Sequence, residues 1–240
     1  MRWKLAAPSC VIPDRVGTNC HALAGLVDEV ALMLLETRAC LDYDEADLPS
    51  DLPELGLSFH AHLPLDLPWS SGAVSVARAL AGLEEKISFL QPDAYVLHPP
   101  LPGELSRLLE TYPASGSFLC LENVRHGDLW DIWDEITALD LGVCLDLGHL
   151  FSYGQERILD LPGFFGRVRM LHVYGGESPK GHAGLSELKD PRLLRDIFSL
   201  LERDVTMVVE VFDLGELRHS LALLRGWLAR WGMPVGDGHD

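Results

Sequence analysis

Eight short apolar runs recur along this chain, each separated from the next by a longer stretch, mostly helix-patterned. They cover residues 4–8, 30–36, 57–63, 94–98, 117–122, 142–146, 167–173 and 206–212. Near-continuous apolar runs of this length suit strands buried on both faces, as in a parallel sheet. Helical patterning falls on 19–28, 73–90, 103–112, 128–139, 155–161, 185–202 and 214–231, whereas 41–56 is acidic and punctuated by proline, so its helix is short or absent. Eight strand–helix units in 240 residues predict one (β/α)8 barrel, a TIM barrel in α/β class, over 1–231. Residues 232–240, with their proline and glycines, read as a loose tail.

What ends these runs is as informative as the runs themselves. From the third to the eighth, the closing polar residue is His62, His98, Glu122, Asp146, His172 and Glu210 in turn. Side chains two apart share a face of a strand. If Cys120, Cys144, Met170 and Val208 fill an inner layer, then Glu122, Asp146, His172 and Glu210 point inward one layer higher. That layer is the C-terminal mouth, where barrel enzymes hold their chemistry. Unpaired buried charges cost several kcal/mol each, and no matching array of Lys or Arg closes these strands. Divalent cations answer the imbalance, because carboxylates and neutral imidazoles are ligands for Zn, Mn or Fe. His60 lies a layer deeper than His62 and reads as a hydrogen-bonded core histidine. His21, His126 and His219 fall in helices or loops and read as surface residues. Glu36, closing the second run on the same rim, either supports a ligand histidine, touches substrate or is structural.

The formal net charge is −17, which repels a phosphate backbone and argues against nucleic acid as a partner. Five cysteines without a CxxC pair exclude a cysteine zinc knuckle and a disulfide framework, and favour a reducing compartment. Cys120 and Cys144 read as small core hydrophobes. The apolar N-terminal stretch is broken by Pro8 and Pro13, too early for a signal peptide or a membrane span. A cytoplasmic protein with no membrane partner is expected.

In order, His62, His98, Glu122 within Leu-Glu-Asn, Asp146 and His149 within Cys-Leu-Asp-Leu-Gly-His, His172, His182 and Glu210 resemble the endonuclease IV branch (AP endonuclease family 2) of the xylose-isomerase-like barrels. The resemblance implies two or three divalent ions, zinc first. His62, His98 and Glu122 would hold one. Glu122 would bridge to a second, held also by Asp146, His172 and Glu210. His149 and His182 would hold a third, with an aspartate two residues before His182; here that position is Lys180, which could instead meet a phosphate oxygen. Sugar isomerases and epimerases of the superfamily share only Glu122, Asp146, His172 and Glu210, a single-metal set.

Further segments narrow the resemblance. Ser9-Cys10-Val11-Ile12-Pro13-Asp14, Val27-Asp28-Glu29-Val30, Leu34-Leu35-Glu36, His62-Leu63-Pro64-Leu65-Asp66-Leu67 and Asp146-Leu147-Gly148-His149-Leu150 are similar to the cobamide-remodelling phosphodiesterases. That implies hydrolysis of the nucleotide-loop phosphoester of an adenosylated cobamide, a B12-type cofactor, to cobinamide and an α-riboside phosphate for cobamide salvage. Glu122, Asp146, Glu210 and His149 are the expected catalytic groups, and Lys180, Arg125, Glu36 and Tyr174 the expected substrate contacts, in a monomer or homodimer. Trp69, Trp130, Trp133, Phe151, Tyr153 and Tyr174 supply an aromatic rim, with at least one of Trp130 and Trp133 expected in the helix-to-barrel core. The rival readings are a single-metal sugar isomerase or epimerase, an apurinic-site endonuclease and a non-enzymatic cobamide-binding module.

Overall fold

The computed structural model describes residues 3–112, 118–179, 181–201 and 204–233. All eight expected strands form: β1 Lys4–Pro8, β2 Glu29–Met33, β3 Ser58–His62, β4 Ala94–Leu97, β5 Phe118–Glu122, β6 Gly142–Asp146, β7 Val168–Val173 and, after a small hairpin, β10 Thr206–Val209. Every neighbouring pair is parallel, and β1 pairs with both β2 and β10, closing the barrel.

Strand parity explains why these runs are apolar throughout. Leu5, Val30, Leu32, Phe59, Leu121, Val143, Leu145, Leu171 and Val209 face out and pack in one large core with the helices. The residues between them, Ala6, Ala31, Val96, Cys120, Cys144, Met170 and Val208, form a separate cluster inside the barrel. Small and slim side chains fill that narrow interior, and His60, in register with Ala31, joins it from β3. Burial pushes the Cys144 thiol up to about 12, so it is no nucleophile at neutral pH.

Four details depart from the sequence reading. A helix, Leu147–Ser152, starts directly from Asp146, whose Oδ1 accepts the His149 amide at 2.6 Å and caps the first turn. Strand β2 stops at Met33, so Glu36 does not end a strand; it precedes the short helix Thr37–Leu41 as its N-cap residue. Segment 155–161 winds as a 3-10 turn, Glu156–Asp160. A two-stranded hairpin, β8 Glu177–Ser178 with β9 Gly181–His182, stands outside the barrel. Of the two tryptophans, Trp133 is buried against Phe164, whereas Trp130 is exposed beneath the Arg157 guanidinium. Most of the expected tail, 234–240, lies outside the described residues. No helix among the described residues is long and apolar enough to cross a membrane.

The opposite end of the barrel carries its own polar network. Glu29 is buried; its Oε2 accepts from Lys4 Nζ at 3.1 Å and from Ser58 Oγ at 3.0 Å, while Oε1 lies 2.6 Å from His60 Nδ1. Burial raises a carboxyl pKa, yet the His60 and Lys4 contacts outweigh it and hold Glu29 down to about 2. Removing one partner of a buried pair strands the other. Glu29→Ala is therefore expected to destabilise the fold by about 3–5 kcal/mol in urea denaturation.

Candidate metal centre

Six consecutive strands deliver their terminal polar residues to one place. His62 Nε2 and His98 Nε2 each lie 3.1 Å from Glu122 Oε2. Glu122 Oε1 lies 3.0 Å from His172 Nδ1, which is also 3.0 Å from Glu210 Oε2 and 3.6 Å from Asp146 Oδ2. Glu122 thus turns one oxygen toward each of two clusters. The ligand atoms of His62, His98 and Glu122 fall within 4.8 Å of one another, as do those of Glu122, Asp146, His172 and Glu210.

A third cluster adjoins them. His149 Nε2 and His182 Nε2 lie 3.4 and 3.3 Å from Glu177 Oε1. The sequence reading assigned no carboxylate here, because the position two before His182 is Lys180, which lies outside the described residues. Glu177 supplies it from five residues upstream, since the hairpin pairs Glu177 with His182 across its two strands. Gly175 and Gly176 before it and Gly181 within it were the available signal of a tight reversal, and Gly176 and Gly181 both take positive φ.

Backbone carbonyls set the tautomers of three histidines. Nδ1 of His62, His149 and His182 lies 3.1, 3.0 and 3.0 Å from the carbonyls of Leu63, Asn123 and Glu210. A carbonyl only accepts, so in each ring the proton sits on Nδ1 and the Nε2 lone pair faces the cluster. Ligand histidines are commonly oriented in this way. Asn123 adds a clamp that sequence reasoning missed: its side chain accepts from the Asp146 amide at 2.8 Å and donates to the Asp146 carbonyl at 2.9 Å. Gln155 accepts a second Asn123 bond and donates to the Val124 carbonyl. The Asn of the Leu-Glu-Asn segment therefore ties the end of β5 to the end of β6.

Charge makes the case for cations. Asp146 Oδ2 and Glu210 Oε2 are buried with no well-formed hydrogen bond, His172 Nδ1 lying 3.6 and 3.0 Å from them, and a cation meeting them would lower the cost of that burial. Three carboxylates here face one another, all but inaccessible to solvent. Burial and the neighbouring Glu122 and Glu210 push the Asp146 carboxyl up. Burial lowers the pKa of His172, but the Cys144, Glu210 and Glu122 groups around it raise it well above the usual histidine value. His172 and its hydrogen bonds, against the effect of burial, hold Glu122 well below the carboxylate range. Carboxylates and imidazoles in sets of three and four suit Zn, Mn or Fe.

The expected substrate contacts fall out differently. Arg125 is exposed at the rim, its guanidinium 5.5 Å from the Tyr153 ring, which in turn lies 5.6 Å from His149. Glu36 is exposed beside a cavity of about 570 Å3 lined also by Ser9, Cys10, Met33 and Tyr43, and belongs to none of the three clusters. Tyr174 is only 2% exposed, stacks on His182 and donates to Glu177 Oε1 at 3.0 Å, and it lines a cavity of about 320 Å3 with Phe151, Ser152 and Glu177. It lies behind the ligands because Val173, the last residue of β7, faces the outer core and the chain then turns into the hairpin.

The chain matches no family model and no curated protein. Solved structures do resemble it. A D-tagatose 3-epimerase-like protein aligns at 17% identity over 95% of this chain and 98% of its own, with a TM-score of 0.68. A xylose isomerase domain containing protein from Salmonella typhimurium aligns at 13% identity over 95% and 96%, TM-score 0.64. The IOLI protein, solved with a bound zinc atom, aligns at 12% identity over 95% and 97%, TM-score 0.65. The fold is that of the xylose-isomerase-like barrels. At these identities the likeness is one of backbone architecture, and function has to be argued from the side chains.

Proton competition follows from the raised values of His172 and His62. With no cation bound, both lie above the usual histidine value, so a proton competes with a cation for each ring. Zinc affinity is therefore expected to rise with pH, with net proton release on loading, measured by calorimetry in buffers of different ionisation enthalpy. In the metal-free protein, His172 contributes stability that is full below the unfolded value near 6.5 and is lost as pH climbs through its higher folded value. Glu122 contributes stability above its unfolded value near 4.5 that is lost on acidification.

Proposed function

We propose that this protein is a metal-dependent phosphodiesterase, with the nucleotide-loop phosphoester of a cobamide as its substrate. One observation carries the reading: Glu122 offers its two oxygens to two separate ligand clusters, with a third cluster alongside. An isomerase needs only the set Glu122, Asp146, His172 and Glu210. The additional His62, His98, His149, Glu177 and His182 suit a phosphoryl group bound among several cations.

Bound there, divalent ions would lower the pKa of water toward about 7 and offset the charge that develops on phosphoryl and leaving oxygens. The chain's own groups do the rest. Glu122 fixes the spacing of the two barrel clusters. Asp146 and Glu210 present buried oxygens beside His172 that lack a well-formed hydrogen bond, and His62, His149 and His182 present lone pairs already oriented by carbonyls. Arg125, held over Tyr153, offers a cation at the rim for a phosphate oxygen. Hydrolysis places the water oxygen on phosphorus, breaks the P–O bond to the cobinamide and returns a proton to that oxygen, leaving cobinamide and an α-riboside phosphate.

The rim supports a large, partly apolar substrate. Leu35, Leu65, Leu101 and Phe212, which follow β2, β3, β4 and β10, are 41%, 58%, 77% and 43% exposed. Exposed apolar side chains concentrated around a polar site suit an apolar ligand face. The acidic surface disfavours abasic duplex DNA as an alternative substrate.

Incubating zinc-loaded protein with an adenosylated cobamide and weighing the products is the direct test; the expected pair is cobinamide and α-riboside phosphate. Glu122→Gln is expected to lower turnover by at least about 1,000-fold, on the scale of losing a central electrostatic group. An intact cobamide after incubation overturns the substrate. A second reading is favoured by the four-residue set itself: a single-metal sugar epimerase or isomerase. One tightly bound ion per chain, with conversion of a ketose to its epimer, would decide for it.

A further inference from the structure

Tyr174 touches every member of the third cluster. Its ring lies flat on the His182 imidazole, centroids 3.9 Å apart and planes 4° from parallel. Its hydroxyl donates to Glu177 Oε1 at 3.0 Å. The His149 ring meets it edge-on at 6.2 Å. Room for that ring depends on Gly148: a Cβ there would sit 2.0 Å from Tyr174 Cζ, far inside contact distance. Ring and glycine thus fit as a pair between the Leu147–Ser152 helix and the hairpin.

The third cluster also differs in construction from the other two. The ligands of the other two stand on or beside barrel strands: Glu122, Asp146, His172, Glu210 and His62 side chains are 2%, 0%, 1%, 5% and 4% exposed, and His98, just past β4, is 34% exposed. Glu177 and His182 stand on a two-residue hairpin outside the barrel, and their side chains are 26% and 15% exposed. Three side chains, one a carboxylate, converge there, as they do at His62, His98 and Glu122. A site of that kind needs something other than strand pairing to hold its ligands in place.

We propose that Tyr174 is the positioning residue of the third cation site. The stack fixes the plane of His182, and the hydroxyl fixes which Glu177 oxygen faces the two histidines. Partners of ligands in this role typically alter metal affinity by about 10–100-fold when removed. The inference rests on the multi-cation part of the functional reading and is independent of the substrate.

Zinc-loaded protein equilibrated against graded zinc buffers, with bound zinc counted by native mass spectrometry, tests it. Wild type is expected to take up three equivalents, one of them at the third site. Tyr174→Phe, which keeps the stack and deletes the hydroxyl, is expected to release that one equivalent at about 10-fold higher free zinc, with the remaining two unmoved. Glu177→Gln is expected to weaken the same equivalent alone and serves if the tyrosine variant folds poorly. A Tyr174→Phe protein that holds its third zinc as tightly as wild type, or that loses all three together, overturns the proposal. A wild-type protein that never takes up a third ion overturns it too, and a chain that takes up only one overturns the multi-cation reading itself.

Discussion

The Glu122 carboxylate is the constraint from which the rest of the site follows. It is buried at the barrel mouth with Asp146 and Glu210 for company, and His172 alone lies within reach of all three. Three carboxylates gathered around a shared imidazole and shielded from water carry a high free-energy cost. Divalent cations would offset that cost, and the carboxylate and imidazole donors suit them. With two oxygens pointing to two clusters, this one buried group would link two ions if both clusters were loaded.

The fold supports that arrangement at several levels. Parallel strands with a two-residue repeat place alternate side chains inside the barrel, and their C-terminal ends converge on one rim. Small inner residues such as Ala6, Ala31, Cys120 and Cys144 let the layer below pack without displacing the ligands above. Carbonyls at the strand ends, freed from ladder pairing, take the Nδ1 protons of His62, His149 and His182. Asn123 joins two strand ends through both faces of its amide. Orientation is therefore built into the scaffold before any cation arrives.

The xylose-isomerase-like scaffold accommodates different chemistries by changing what stands on its rim. Neighbours in fold include a protein named as epimerase-like and one solved with zinc. A four-ligand set common to a single-ion site lies within this chain's cluster. Around that set this chain gathers His62 and His98 and, beside them, His149, Glu177 and His182. Those additions, and not the barrel, carry the argument for phosphoester hydrolysis.

The barrel was legible in the sequence because strand parity and apolar runs are local properties: residues 4–8 or 142–146 read as doubly buried strands without knowing their neighbours. The inward direction of Glu122, Asp146, His172 and Glu210 was legible for the same reason, since each follows an inner-facing residue by two. Glu177, Asn123 and the true setting of Tyr174 were not. Glu177 meets His182 only because a hairpin folds back on itself, and Asn123 reaches Asp146 only because β5 and β6 are paired. Tyr174 is buried only because Gly148, on another element, leaves space for its ring. Local chemistry along the chain decides which face a residue takes; contacts between segments distant in sequence decide which residues meet, and only the closed fold supplies those.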